Sequence, residues 1–288
     1  MTATSAVCHS GNDEGGRGMR VATTEDQVRQ IVADFNAGRF EQAISLCEAG
    51  LRRNRNDPIL NHLFAAVLFA KGDAARAGAH IRTSLAAKAD NAPGHLLAGR
   101  IARSCGDFER ALFHLGRAAA MSPSLEILLE QARTVDAVGD RNRSIDAWRA
   151  VTRANPGLPE AAARLGRLLF EDGLLRDAAA VLEAVPAAGR TASLWFDLGL
   201  VKQDLRDLAG AADAYREALE LQPGNAEAAV NLGIVLQDMR DIDGAVAAYQ
   251  VAYGVQPETF GVIAMSLTSA PRGQLWLDRQ ALKRMLKP

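Results

Sequence analysis

The chain is poor in the features that mark enzymes, secreted domains and membrane proteins. Aromatic residues make up 5% of it, too few to suit a sheet-rich core, which draws on aromatic and β-branched side chains. Only three cysteines occur, Cys8, Cys47 and Cys105, with no CxxC spacing. That leaves no disulfide framework or zinc site to build on, and a reducing compartment, the cytoplasm, is the expectation. No apolar run reaches membrane-spanning length, and the N-terminal MTATSAVCHSGNDEGGRG has no apolar segment between a basic start and a cleavage site. The net charge is -1, so bulk attraction to nucleic acid or to a membrane surface is not expected. GxGxxG, P-loop, HExxH and GxSxG patterns are all absent, so no catalytic residue, metal or cofactor is assigned.

What the 288 residues do offer is alanine and a period. Hydrophobic residues make up 48% of the chain, enough for a sizeable core. Alanine favours close-packed helices, because its methyl group loses no rotamer entropy and lets neighbours approach. Aligning ASLWFDLGLVKQDLRDLAGAADAYREALELQPGN with AEAAVNLGIVLQDMRDIDGAVAAYQVAYGVQPET sets Leu198, Gly199, Ala211, Tyr215, Ala218 and Pro223 on Leu232, Gly233, Ala245, Tyr249, Ala252 and Pro257. Every offset is 34 residues. A period of this length is the signature of a stacked-repeat architecture.

These units resemble the tetratricopeptide repeat, whose pattern carries W, L-G, Y, A, F, A and P at set places; Trp195 fills the tryptophan slot. Upstream, the small residue of the first helix recurs as Ala65, Gly99, Ala132 and Gly166, and that of the second as Ala43, Ala77, Ala111, Ser144 and Ala178. The large slot holds Cys47, Ile81, Leu115, Trp148 and Leu182. The resemblance implies an all-α, right-handed superhelical solenoid of antiparallel helix pairs. It gives seven repeats, 24–57, 58–91, 92–124, 125–158, 159–191, 192–225 and 226–259, followed by a helical cap over 260–288. Between the helices, Gly72-Asp73, Gly106-Asp107 and Gly139-Asp140 form a recurring turn: glycine takes a left-handed conformation and aspartate caps the next helix. Arg206-Asp207 and Arg240-Asp241 keep the aspartate without the glycine.

The ends depart from the pattern. Residues 1–23 are rich in glycine, serine and charge and are expected to be disordered. The first repeat lacks the L-G face and reads as a degenerate cap, opened by a Thr24-x-x-Gln27 capping box. At the far end, Phe260–Ser269 reads as a further helix. A final helix, Gln274–Leu286, carries Leu275, Leu282 and Leu286 on one stripe and is expected to cover the open end of the stack. Trp276 either anchors a partner or packs this cap.

Candidate binding residues follow from geometry and from the resemblance together. If the L-G stripe faces the second helix, the opposite stripe faces outward, and in the family that stripe lines the concave groove. Here it carries an apolar zone, Val28, Val32, Phe35, Ile59, Leu63, Ala66, Phe69, Leu96 and Leu97. An arginine zone follows, Arg100, Arg103, Arg133, Arg164 and Arg167, then a polar zone with Asp197, Gln203 and Asn231. An apolar groove face marks a binding surface unless the chain itself covers it. The arginines suit carboxylates, or else pair within their own helices, Arg133 with Glu130 or Asp136 and Arg167 with Glu171. His80 and His114 share a repeat slot and read as a solvated pair or, with a third ligand, a metal pair. Cys105 reads as structural. The lysines and asparagines of family members that clamp a terminal carboxylate are missing, Asn231 apart.

The function these readings support is a scaffold or adaptor that holds a peptide or helix of a partner protein in the groove. The ligand would be acidic with an apolar part. Self-assembly of the repeats, and a non-catalytic subunit of a separately encoded enzyme, are the alternatives. Alanine- and arginine-rich usage points to a bacterial source.

Overall fold

A computed structural model describes residues 24–269 and 279–287. Among these residues there is no strand; sixteen α-helices follow one another and divide after Cys105 into two compact units. The first unit holds α1 (Thr24–Asn36), α2 (Phe40–Leu51), α3 (Pro58–Ala70), α4 (Ala74–Ala87) and α5 (Ala92–Ser104). The second begins with α6 (Phe108–Met121), α7 (Leu125–Val138), α8 (Arg141–Ala154), α9 (Pro159–Glu171) and α10 (Leu175–Glu183). It continues through α11 (Ala192–Asp204), α12 (Leu208–Leu221), α13 (Ala226–Asp238), α14 (Ile242–Val255), α15 (Phe260–Ser269) and α16 (Arg279–Met285). Within each unit consecutive helices pack as antiparallel pairs, and the first helices of successive pairs also touch, α1 with α3, α3 with α5, and α9 with α11.

The turn between paired helices shows why the chain reverses where it does. Gly72 and Gly139 take φ of 92° and 85°, values that cost a residue with a Cβ but not glycine. The aspartate after each turn then caps the next helix: Asp73 accepts from the Arg76 N–H at 3.0 Å, Asp140 from Arg143 at 3.1 Å and Asp241 from Gly244 at 2.9 Å. Where glycine is missing, arginine is forced into the same conformation, with φ of 63° at Arg206 and 68° at Arg240. Left-handed backbone costs a non-glycine residue about 1–2 kcal/mol. Arg240→Gly should therefore raise stability by about 1 kcal/mol, read as a higher urea midpoint at unchanged slope. An unmoved midpoint would show that the turn relaxes around arginine without cost.

Packing follows the small and large slots. A Cβ added to Gly199 would lie 2.5 Å from Tyr215 Cε1, and one on Gly166 would lie 2.7 Å from Leu182 Cδ2. The small residue thus admits the large one, sixteen residues on, into the crossing of its own pair. Tyr215 and Tyr249 are fully buried, and each hydroxyl donates to a glutamine of the preceding helix, Gln203 at 2.8 Å and Gln237 at 3.0 Å. Burial pushes the Tyr249 hydroxyl up to about 12. Gln237 passes the chain on by donating to the Ser266 carbonyl of α15 at 2.8 Å.

At the start of the chain, Thr24 is the first residue of α1, and Gln27 commits its amide nitrogen to the Leu46 carbonyl of α2 at 2.6 Å. Asp34 is buried and accepts from Gln30 and Arg39, which hold its carboxyl below the usual range. At the other end, Leu282 and Leu286 are buried in the core shared by Tyr249, Ile263 and Leu267, and Gln250 donates to the Met285 carbonyl at 2.8 Å. Residues 1–23, Leu275 and Trp276 lie outside the described residues.

Candidate functional site

In the first unit, the outward stripe of α1 and α3 is partly open. Val32 and Ile59 are 38% and 57% exposed, whereas Phe35, Leu63, Phe69 and Leu97 are half-buried against the core. Ala66 is likewise half-buried. Phe35, Leu63, Phe69 and Leu97 thus form the rim of the core, while Val32 and Ile59 stay open. Between α1, α3 and the start of α5 a cavity of about 220 Å³ opens, walled by Val28, Ile59 and Leu63 and bordered by His62, Lys88 and Asn91. That volume holds one large side chain. The His62 Nδ1 is buried without a hydrogen-bond partner, and desolvation lowers its pKa. Arg100 and Arg103 are half-buried on α5.

In the second unit the arginines are engaged, mostly by partners other than those that helical spacing offered. Arg133 donates from Nε and Nη2 to Glu160 of α9 at 2.7 and 2.6 Å, with Nη1 on Glu130 at 3.1 Å. Arg164 meets Asp136 of α7 through two hydrogen bonds of 2.6 and 2.8 Å. Arg167 reaches Asp197 of α11 at 3.1 Å. Of the in-helix pairs expected, Arg133 with Glu130 forms; Asp136 takes Arg164 instead, and Glu171 takes Arg141 of α8 at 2.9 Å. For Arg133 and Arg164 the reason is the shape of guanidinium, whose planar fork of Nε and Nη2 finds two parallel acceptors on the neighbouring pair; Arg167 meets both oxygens of Asp197 through Nη2 alone. Asp197 is 9% exposed, and its carboxyl is raised by desolvation, which Arg167 offsets in part.

The polar zone is also in use. Asn231 is half-buried on α13 and shares the Tyr215 hydroxyl with Gln203. Two single-residue readings change. His80 is not a solvated histidine: its Nδ1 lies 2.8 Å from Asn61 Oδ1, and its ring packs 4.3 Å from Phe64. His114 stands edge-on to Phe113. Cys105, read as structural, is exposed, whereas burial pushes the Cys47 thiol up to about 12. Among the described residues no three metal-ligating side chains come together, and no helix is long and apolar enough to cross a membrane.

Sequence reasoning missed Glu160 as the partner of Arg133 and Asp136 as that of Arg164. The signal was present, since each acid lies 27 or 28 residues from its arginine, a little under one repeat. His62 was missed because nothing in its slot distinguishes it from a surface histidine.

Residues 129–193 and 196–258 match the family model described as the tetratricopeptide repeat. No curated protein matches the chain. Among solved structures, the C-terminal part of a TPR repeat-containing protein from Cytophaga hutchinsonii is similar at 18% identity with a TM-score of 0.66, over 80% of this chain and 95% of that one. PilF of Pseudomonas aeruginosa is similar at 16% identity with a TM-score of 0.59, over 75% and 96%. MamA from Desulfovibrio magneticus gives 23% identity and a TM-score of 0.50 over 58% and 96%. At these identities the likeness is one of fold.

Proposed function

The chain carries tetratricopeptide repeats, and from that premise we propose that it is a non-catalytic scaffold holding a segment of a partner protein against the first helices of its pairs. The observation that carries this reading is the apolar cavity of the first unit, about 220 Å³ between α1 and α3, with Ile59 more than half exposed at its wall. An apolar side chain of the partner enters it. To the same binding surface we assign Phe35, Ala66, Phe69 and Leu97, with Arg100 and Arg103 on α5. In the second unit, Arg133, Arg164, Arg167 and Asn231 form a polar surface. A partner carboxylate there must compete with acids already in place, which is feasible because partly exposed pairs are each worth at most about 1 kcal/mol.

Leu63→Glu tests the reading. The residue is half-buried at the cavity wall, so a carboxylate at its tip reaches water while spoiling the pocket. We expect capture of partner proteins from a native lysate by the parent chain, loss of the same proteins with Leu63→Glu, and unchanged melting of the variant. Equal capture by both chains removes the cavity from the function. Melting lowered by several degrees would instead mark Leu63 as core, since an unpaired buried carboxylate is costly. Light scattering on the same samples tests self-assembly, and a mass that climbs with concentration would make a second copy the partner.

A further inference from the structure

A second cleft of the first unit lies between α2 and α4, with a volume of about 710 Å³. Its counterpart between α8 and α10 of the second unit, about 570 Å³, shows what this place in a repeat ordinarily holds. Phe64, His80 and Arg52 of the first cleft correspond to Leu165, Val181 and Arg153 of the second. In the second, Asp146 and Asp177 balance the arginines; Arg149 lies 3.8 Å from Asp146, and Arg153 donates to a backbone carbonyl. In the first, Glu48 is the one acid of the lining, and it sits 3.8 Å from Arg76. Arg52 and Arg55 are exposed and have no acidic partner among the described residues.

The chemistry at the floor differs as well. Asn61, 2% exposed, stands where the second cleft's repeat has Ala162. Its Nδ2 donates twice, to the Arg55 and Asp57 carbonyls, each at 2.9 Å. Both amide hydrogens being spent, Oδ1 must accept, and the His80 Nδ1 at 2.8 Å is its donor. The tautomer is thereby fixed, and the His80 Nε2 keeps its lone pair for whatever occupies the cleft. Burial and the Arg76 guanidinium hold His80 below its ordinary imidazole value. Placement at the end of α2 accounts for Arg52 through the helix dipole, but not for Arg55, Asn61 or His80.

We propose that the cleft between α2 and α4 binds a phosphate group, free or esterified, with Arg52 and Arg55 as its charge partners and the His80 Nε2 as a hydrogen-bonding third. Two guanidinium forks match a phosphate dianion in charge and in bidentate geometry. The imidazole accepts from a P–OH or, once protonated, donates to a phosphate oxygen. The cleft is far larger than one phosphate, which leaves room for the rest of an ester.

The test is a titration of the labelled full chain with sodium phosphate against sodium chloride at matched ionic strength, near neutral pH, followed by NMR. Phosphate should give saturable shifts at residues 52–56 and on the His80 ring. The His80 titration should move to higher pH as the anion binds, because its charge opposes that of Arg76, which lowers His80, and of Arg52 and Arg55, which line the cleft with Glu48. The double substitution Arg52→Gln and Arg55→Gln should weaken phosphate binding about tenfold or more, as loss of two charge-assisted contacts demands. Arg149→Gln with Arg153→Gln in the counterpart cleft should leave it unchanged. Tighter binding of O-phosphoserine than of inorganic phosphate assigns the source to an ester, and the reverse to the free ion. Two results overturn the proposal. One is non-saturating shifts that chloride reproduces; the other is an Arg52→Gln, Arg55→Gln double variant that binds phosphate like the parent while its melting is intact.

Discussion

Gly199→Leu is expected to unfold the second unit from α11 onward, with a loss of about 3 kcal/mol or more, at or above the upper end for overpacking a tight core site. The Tyr215 ring occupies the space: even a methyl group on residue 199 would lie 2.5 Å from Tyr215 Cε1. The ring has no retreat, because it is fully buried and its hydroxyl is tied to Gln203. The first unit supplies the compensating pair. Ala65 and Ile81 hold the same two slots there, both buried, so Gly199→Ala should be rescued in large part by Tyr215→Ile. Urea denaturation of the two single variants and the double variant measures the coupling. Additive losses would mean that glycine and tyrosine do not share the space. In a stack held by nearest neighbours the damage should stay local, and hydrogen exchange should show α1–α5 keeping their protection.

Trp148→Ala should cost about 3–5 kcal/mol, the range for truncating a buried aromatic. Trp148 is 2% exposed in the core with Leu165, Leu168 and Leu182, yet its indole N–H has no acceptor. A buried donor left unpaired costs about 1–3 kcal/mol. Trp148→Leu removes that cost while keeping an apolar side chain, and it copies the residue at the same slot, Leu182, in the next pair. The leucine variant should therefore recover most of what alanine loses. Equal destabilisation by both would show that the indole nitrogen is satisfied in solution.

The fold was legible wherever one residue type does one job at one spacing. Gly72, Gly139, Asp73 and Asp140 announce the turns, and the 34-residue register places Gly199 under Tyr215. Arg206 and Arg240 mark, by breaking the pattern, a left-handed turn that geometry imposes on any residue there. The candidate surface was legible only in part. Alignment shows Arg133 and Arg167 recurring, but not that Glu160 and Asp197, supplied by the next pair, would claim them. The bond between Asn61 and His80 escaped notice because it depends on where the Arg55–Asp57 turn puts two carbonyls. A chain of hydrogen bonds through a turn has no sequence period.

The glutamine that receives each tyrosine hydroxyl has a consequence for how such a chain lengthens and shortens. Gln203 and Gln237 sit one register apart, each holding the tyrosine of its own pair. A genetic crossover between their codons would delete residues 204–237 and join the front of α11 to the turn before α14. Gly199 would then meet Tyr249 in place of Tyr215, Gln203 would accept its hydroxyl, and Arg240 would supply the left-handed turn. Arg167 would keep Asp197, and α15 would still find a glutamine for its Ser266 carbonyl. Recombination could thus remove a helix pair in one step with these polar contacts kept in register, and the places left to repack are those where Trp195 and Lys202 take the slots of the buried Ala229 and Leu236.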